Sequence, residues 1–355
     1  MTVFNNIQVL RAIAALMVVI VHITNAPQVL GPDVHGLYGV DLFFVISGFV
    51  MMVSTMNRSL TPWQFMEKRL IRIVPLYWAA TLGVFLIALL APALVKATRP
   101  DLVELAKSLL FIAFEKSNGQ VKPVLFQGWT LNFEMLFYVL FAAAMVLKRP
   151  WARFGAVTAF LMVLIAAGRL FTGGPVFQFY TGLITLEFVF GMLAGLIVAH
   201  LPQGPAWRPF ALAVVVVGLY LVFHGAYASF EERGIFIGIP AFFVILAAAW
   251  LERMGWAVRS PFLLLLGATS YALYLSHPFV VIAMEKLAAA SGVGPAIGPV
   301  ALFALLVVAA QVVAWLIHRL YEQPADRLIK RRIGGVALRR DPAQVPPGEP
   351  ASETA

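Results

Sequence analysis

About ten apolar runs, each near twenty residues long, constrain this chain more than any other feature. A run of about 20 apolar residues wound as a helix crosses the roughly 30 Å hydrocarbon core of a bilayer. Hydrophobic residues make up 61% of the sequence and charged residues 12%, so a water-soluble domain would have nowhere to place that apolar surface. The runs lie at about 7–26, 37–56, 75–95, 129–147, 154–172, 180–200, 208–224, 235–252, 262–284 and 296–318. Pro, Gly and charge clusters separate them, as at Lys148-Arg149-Pro150 and Gly204-Pro205. The expected fold is an all-α integral membrane protein of about ten transmembrane helices within residues 1–330. Residues 331–355 read as a basic, then disordered, tail rich in Pro and charge.

The net charge of +9 does not point to nucleic acid. Lys and Arg sit in short connections and in the tail, which is the orientation signal of a membrane protein. With the N-terminus inside, eighteen of the 26 Lys and Arg fall on the inner side and eight on the outer. Both termini are therefore expected in the cytoplasm. The start of the chain loosely imitates a cleavable signal peptide, but the charge pattern works with that segment retained as the first helix. Five of the eight outer charges fall in one connection, 96–128. Within it, Leu102, Leu105, Ala106, Leu109, Leu110 and Ala113 recur at helical spacing, and Thr98-x-x-Asp101 resembles a capping box. A short amphipathic helix on the outer membrane surface is expected there. Gly191-x-x-x-Gly195 permits close helix contact. There is no cysteine, which excludes disulfides, a thiol nucleophile and Cys-based metal sites, and no metal centre is expected.

Polar residues inside the apolar runs are expensive, at about 2.5–3.5 kcal/mol for an Arg at the helix centre. The first run holds two ionisable residues, Arg11 and His22, with only apolar residues between them. Three helical turns, roughly 16 Å, separate them along nearly one stripe. Arg11 falls near the inner end, and His22 near the outer end. Asp41 opens helix 2 from outside. Trp129, Thr130 and Glu134 occupy the outer third of helix 4, with Tyr138 one turn deeper. Helix 9 carries Tyr271, Tyr274 and His277 toward its outer half. His22, Asp41, Glu134, Tyr271 and His277 thus come from four helices at similar depth. On the inner side, the connection between helices 2 and 3 holds Arg69 and Arg72, three apart. Guanidinium pairs suit phosphate groups, since the planar fork donates two hydrogen bonds at once.

This pattern suggests acyl transfer. A phosphate-rich donor such as coenzyme A would be held at the arginines. A histidine paired with a carboxylate would take a proton from an acceptor hydroxyl, or accept the acyl group itself. Glu187 in helix 6 reads as a structural or gating partner.

Five blocks, in order, resemble the membrane-bound acyltransferase 3 family. They are the Arg-x10-His of Arg11 and His22; Gly39-Val40-Asp41-Leu42-Phe43-Phe44-Val45-Ile46-Ser47-Gly48-Phe49; Arg69-Leu70-Ile71-Arg72-Ile73-Val74-Pro75; Trp129-Thr130-Leu131-Asn132-Phe133-Glu134-Met135-Leu136-Phe137-Tyr138; and Ser270-Tyr271-Ala272-Leu273-Tyr274-Leu275-Ser276-His277-Pro278. The resemblance covers about residues 5–330. It implies a ten-helix enzyme of the bacterial inner membrane that moves an acyl group, usually acetyl, from cytoplasmic acyl-CoA to a hydroxyl of an extracytoplasmic or lipid-linked glycan. The opening Asn6-Ile7-Gln8-Val9-Leu10-Arg11-Ala12 is most similar to the branch associated with exopolysaccharide production. Some relatives carry a fused extracytoplasmic hydrolase-like domain. This chain is expected to act alone or to hand the acyl group to a separate partner, such as a polysaccharide-assembly protein.

The expected assignment follows. Arg11, Arg69 and Arg72 hold the acyl-CoA phosphates. His22 is general base or transient acyl carrier, paired with Glu134. Asp41, Trp129, Tyr138, Tyr271 and His277 shape or support the acceptor end. Acetyl-CoA enters as substrate, with no tightly bound cofactor. Two alternatives stay open: an acyltransferase acting on a small molecule or lipid, and a glycan transporter or flippase. Transporters often show repeated halves with matching broken helices, and the sequence shows neither.

Overall fold

A backbone in hydrocarbon must satisfy its own N–H and C=O groups, and a helix does so within one segment. The computed structural model describes residues 4–31, 38–56, 60–94, 100–224 and 232–329, and no strand occurs among them. The first six helices are α1 Asn5–Val21, α2 Ala26–Leu30, α3 Gly39–Met56, α4 Pro62–Leu90, α5 Leu102–Leu109 and α6 Trp129–Ala144. The next five are α7 Pro150–Leu170, α8 Pro175–Tyr180, α9 Leu186–Ile197, α10 Arg208–His224 and α11 Arg233–Phe236. The last four are α12 Gly238–Arg253, α13 Pro261–Ala268, α14 Ser270–Ala290 and α15 Val293–Ile317. A π-helical turn, His318–Glu322, continues α15. Eight helical stretches among the described residues are long and apolar enough to cross a membrane. Of the ten expected spans, the two outside that set are α1, a shorter apolar helix of 17 residues, and α6, of 16 residues. The expected tail, 331–355, lies outside the described residues.

Several boundaries differ from expectation for local reasons. Helix α4 begins at Pro62, well before the expected start near 75. Thr61 forms a capping box with Gln64, its hydroxyl accepting from the Gln64 N–H at 3.2 Å while its own N–H donates to Gln64 Oε1 at 3.0 Å. Arg69 and Arg72 therefore lie on a helix, not in a connection. Pro75 sits inside α4. Two tyrosine hydroxyls bond the carbonyls around it, Tyr271 to Ile73 at 2.8 Å and Tyr321 to Pro75 at 3.0 Å. Other spans are interrupted. The sixth divides into α8 and α9, the eighth into α11 and α12, and the ninth into α13 and α14. In α15, Gly298 takes φ 79°, ψ 169°, just before Pro299.

In the long connection, α5 is the expected short amphipathic helix, with a different cap. Asp101 itself is the N-cap, its carboxylate accepting from the N–H groups of Val103 at 2.7 Å and Glu104 at 2.9 Å. Thr98 lies outside the described residues. The helix stops at Leu109, short of Ala113, and Phe111 takes a positive φ of 58°. Its end packs into the bundle: the Tyr77 hydroxyl donates to Ser108 O at 3.1 Å, and the Tyr77 and Phe111 rings stack 4.8 Å apart.

Helices α3 and α9 make the most extensive helix pairing, and glycines allow it. A Cβ on Gly191 would stand 2.0 Å from Val45 O, and one on Gly48 would stand 2.1 Å from Phe188 O. No side chain fits between backbones that close, so the Gly191-x-x-x-Gly195 contact is a backbone crossing. Beside it, the fully buried Asp41 carboxylate on α3 is bound by Arg233 of α11, whose Nε donates at 2.9 Å and whose second guanidinium nitrogen also reaches the carboxylate. Glu187 of α9 is buried against the same pair.

Helix α1 is held at its start by a carboxylate from α12. Glu252 accepts from the backbone N–H groups of Asn5 at 2.9 Å and Asn6 at 2.8 Å, and an anion at a helix N-terminus meets the favourable end of the dipole. The Asn6 side chain donates to Ala248 O and Trp256 O and accepts from Val258 N–H.

Two stability outcomes follow. Gly191→Val forces a branched side chain into a backbone, so detergent-purified protein loses its cooperative thermal transition or unfolds at markedly lower temperature; Gly155→Ala, with nothing within 4 Å, leaves the transition unchanged or slightly higher. Arg233→Leu strands the Asp41 carboxylate and destabilises by about 3–5 kcal/mol, read as a large fall in thermal midpoint. An unchanged midpoint would show that the pair is not holding α3 to α11.

Candidate active site

Helix α1 has a distinct chemistry at each end. At the Arg11 end, half-buried Arg11 donates to Gln8 Oε1 at 3.3 Å. Arg72, Glu134 and Glu322 are the charged groups around its guanidinium. Helix α4 supplies Arg69, buried over the rings of Phe65 at 5.5 Å and Tyr138 at 6.0 Å, and exposed Arg72 one turn later. Flat guanidinium stacking on aromatic faces costs less than burying the charge among aliphatic groups. Arg69 Nε has no partner among the described residues, so donor capacity remains for a ligand. Glu134 of α6 accepts from the Ser47 hydroxyl at 2.7 Å and from the Tyr138 hydroxyl one turn along its own helix. Three arginines, one carboxylate and two hydroxyls therefore gather here from four helices.

At the other end, His22 is the C-cap of α1. Its Nδ1 lies 2.8 Å from Val18 O and 3.3 Å from Nε2 of the fully buried His277 on α14. The two imidazoles meet edge to face at 4.9 Å, with the Phe126 ring 5.9 Å from His22. Tyr274 lies beside the pair, its ring 6.3 Å from that of His277, and Gln127 Nε2 donates to Leu275 O at 3.4 Å. The Tyr274 hydroxyl donates to Gln127 O at 2.9 Å and lies 2.9 Å from the Thr130 hydroxyl, and Gln127 Oε1 is buried with no partner among the described residues. Beyond the helix end, Glu285 of α14 accepts from Thr24 N–H at 2.9 Å and Thr24 Oγ1 at 3.1 Å. That clamp ties the segment after His22 to the helix that carries His277.

The structure brings together most of the residues singled out from sequence, but regroups them. Among the described residues, His22 bonds to His277 and Glu134 bonds to Ser47 and Tyr138; no hydrogen bond joins His22 to Glu134. The Glu134 charge is felt at Arg11 and Arg69 and also at Tyr271 and Tyr274. On α6 the carboxylate stands one turn after Thr130, whose hydroxyl lies 2.9 Å from that of Tyr274, and one turn before Tyr138, whose ring lies under Arg69, and so falls between the two ends. Tyr271 is buried and spent on the α4 backbone. Asp41 is engaged by Arg233, which sequence reading counts only as a loop charge. Trp129 opens α6 and packs edge-on against Phe133 at 6.1 Å. Ser47, Gln127 and Glu322 enter the site without having been singled out. A serine inside the apolar run Val45-Ile46-Ser47-Gly48 is a signal that was available, whereas Glu322, in a charged stretch near the tail, carries none. Among the described residues no group of three or more His, Asp or Glu is placed to hold a metal ion.

A family profile described as an acyltransferase domain matches residues 4–319. The chain is 37% identical, over 76% of its length and 83% of the relative's, to the exopolysaccharide production protein ExoZ of Rhizobium meliloti (strain 1021). It is 29% identical to the acyltransferase MdmB of Streptomyces mycarofaciens, over 94% of each chain. It is 28% identical to the O-acetyltransferase OatA of Staphylococcus aureus (strain NCTC 8325 / PS 47), over 77% of this chain and 50% of that one. No solved structure matches. A multi-pass helical bundle with an arginine cluster at one end of a helix and a histidine pair at the other thus meets a profile covering nearly all of it: the chain belongs to the acyltransferase 3 family of membrane enzymes, which transfer acyl groups other than aminoacyl groups.

Proposed function

We propose that this enzyme moves an acyl group, acetyl foremost, from cytoplasmic acyl-CoA to a hydroxyl of an extracytoplasmic or lipid-linked polysaccharide, in the bacterial inner membrane with both termini in the cytoplasm. One observation carries the proposal: a single helix, α1, holds Arg11 in a three-arginine cluster at one end and His22 in an imidazole pair at the other. The kinship with a protein of exopolysaccharide production and with a named O-acetyltransferase supports the choice of acceptor and acyl group.

In this reading Arg11, Arg69 and Arg72 bind the CoA phosphates at the cytoplasmic face, where the free donor capacity of Arg69 is used. The extended pantetheine arm follows α1 toward His22. There the imidazole takes the proton of the acceptor hydroxyl while its oxygen attacks the thioester carbonyl, the carbon–sulfur bond breaks, and the proton passes to the departing thiolate. Alternatively, His22 first accepts the acyl group and then delivers it. Glu134, between the two ends, offsets the arginine charge. Polysaccharide-assembly proteins are the natural neighbours of such an enzyme.

His22→Ala should remove O-acyl signals from the NMR spectrum of the host polysaccharide while the protein remains in the membrane at parent abundance; acylation at the parent level would overturn the assignment. Arg72→Ala should raise the donor KM about 10-fold or more with a smaller change in kcat, since a charge-assisted bond contributes roughly 1.5–3 kcal/mol. An unaltered donor KM would remove Arg72 from the donor site. Glycan movement without acylation in reconstituted vesicles would favour a flippase instead.

A further inference from the structure

Resting on the acyl-transfer reading above, we propose that His277 is the positioning residue for His22: it fixes the His22 ring with the proton on Nδ1 and so presents Nε2 as the reacting nitrogen.

The argument starts from a proline. Pro278 has no N–H, so the carbonyl four residues earlier, Tyr274 O, loses its helical donor inside α14. His277 replaces it, its Nδ1 lying 2.9 Å from Tyr274 O and 3.1 Å from Leu273 O. A carbonyl only accepts, so that nitrogen carries the proton. The neutral ring then has its lone pair on Nε2, the atom that faces His22 at 3.3 Å.

The same logic repeats at the end of α1. The His22 backbone N–H bonds to Val19 O and Ile20 O, leaving Val18 O among the orphan carbonyls of a helix terminus. His22 Nδ1 reaches Val18 O at 2.8 Å. It is therefore the protonated nitrogen, donating between two acceptors, Val18 O and His277 Nε2. His22 Nε2 keeps its lone pair and has no hydrogen bond from any described residue. Unmet backbone carbonyls orient both rings, one created by Pro278 and one by the end of α1, and His277 Nε2 supplies the second acceptor that holds the proton on His22 Nδ1.

The chemical consequence concerns what orients the base. A carboxylate orienter stabilises the imidazolium that forms on proton uptake. Here Glu134 is bonded to Ser47 and Tyr138, and the orienter is a neutral imidazole. The proton taken from the acceptor hydroxyl onto Nε2 is held weakly, which favours its transfer to the thiolate as the carbon–sulfur bond breaks.

The test uses the full chain, labelled with ¹⁵N-histidine and reconstituted in lipid. Two-bond ¹H–¹⁵N correlations, with His22 assigned by loss of its peaks in His22→Ala, should show His22 and His277 both protonated on Nδ1. In His277→Phe the His22 signal should move toward a mixture of tautomers, and kcat should fall roughly 10–100-fold, the usual cost of losing an orienting partner, with donor KM unchanged. His277→Gln offers an amide oxygen to His22 Nδ1 and should retain several-fold more turnover than His277→Phe. A parent His22 protonated on Nε2 would overturn the proposal. So would equal losses in both variants with an unmoved His22 signal. Persistence of acylation in His22→Ala would instead overturn the underlying reading, whatever the tautomers.

Discussion

The backbone crossing of α3 and α9 is the contact on which the rest of the bundle depends. Gly48 and Gly191 bring two main chains together where no side chain fits. In an apolar medium, helix association draws little from the hydrophobic effect and much from close packing and interhelical polar bonds. The crossing supplies the first and organises the second. Ser47, next to Gly48, is turned to Glu134 of α6. Asp41, two turns earlier on α3, meets Arg233 and Glu187. One helix thus aligns the carboxylate beside the arginine cluster and seals a buried charge set whose carboxylates would be untenable alone.

The site divides its labour along α1. The arginine end is cationic, aromatic-lined and open at Arg72, and has the character of a phosphate receptor. The imidazole end is enclosed by Phe126, Gln127 and Tyr274, and its polar atoms are paired to one another or to backbone except His22 Nε2 and Gln127 Oε1, which have no partner among the described residues. Glu134 belongs by contact to the first and reaches the second through its field. On the proposed reading, separate ends let the phosphates of a long donor remain in a charged environment while its reactive carbon sits among less polar groups. Removal of water there strengthens each remaining hydrogen bond.

Much of this was legible in the sequence, and the reason differs by feature. Apolar runs near twenty residues long announce helices because hydrocarbon permits little else, so the helical class and most spans emerge from counting. Arg11 and His22 stand out because ionisable residues are rare in such runs. The glycine pair was legible as a packing signal, though its partner, Gly48, was not. Spacing along one helix cannot show which residue on another helix is met. Depth alone matched His22 to Glu134, whereas the packing of α14 against α1 placed His277 there instead. Arg233 looked like an ordinary loop charge because nothing local reveals that α11 turns it inward to Asp41. The start of α4 is hidden in the sequence because Lys68, Arg69 and Arg72 give the stretch before 75 the look of a charged connection, although Thr61 and Gln64 form a cap.

The carboxylate of Glu252 sits far from the chemistry, yet it fixes the axial position of α1 by holding the first two amides of that helix. Because a helix is stiff along its axis, Arg11 and His22 share that position. Any displacement of α12 relative to the bundle would carry both ends of the site together and in the same direction, preserving their separation while changing their height against α4 and α14. The distance from the arginine cluster to the imidazole pair is therefore an internal ruler, written into the covalent length of one helix, while the alignment of that ruler with its neighbours is held at its start by Glu252 and Asn6 and beyond its end by Glu285.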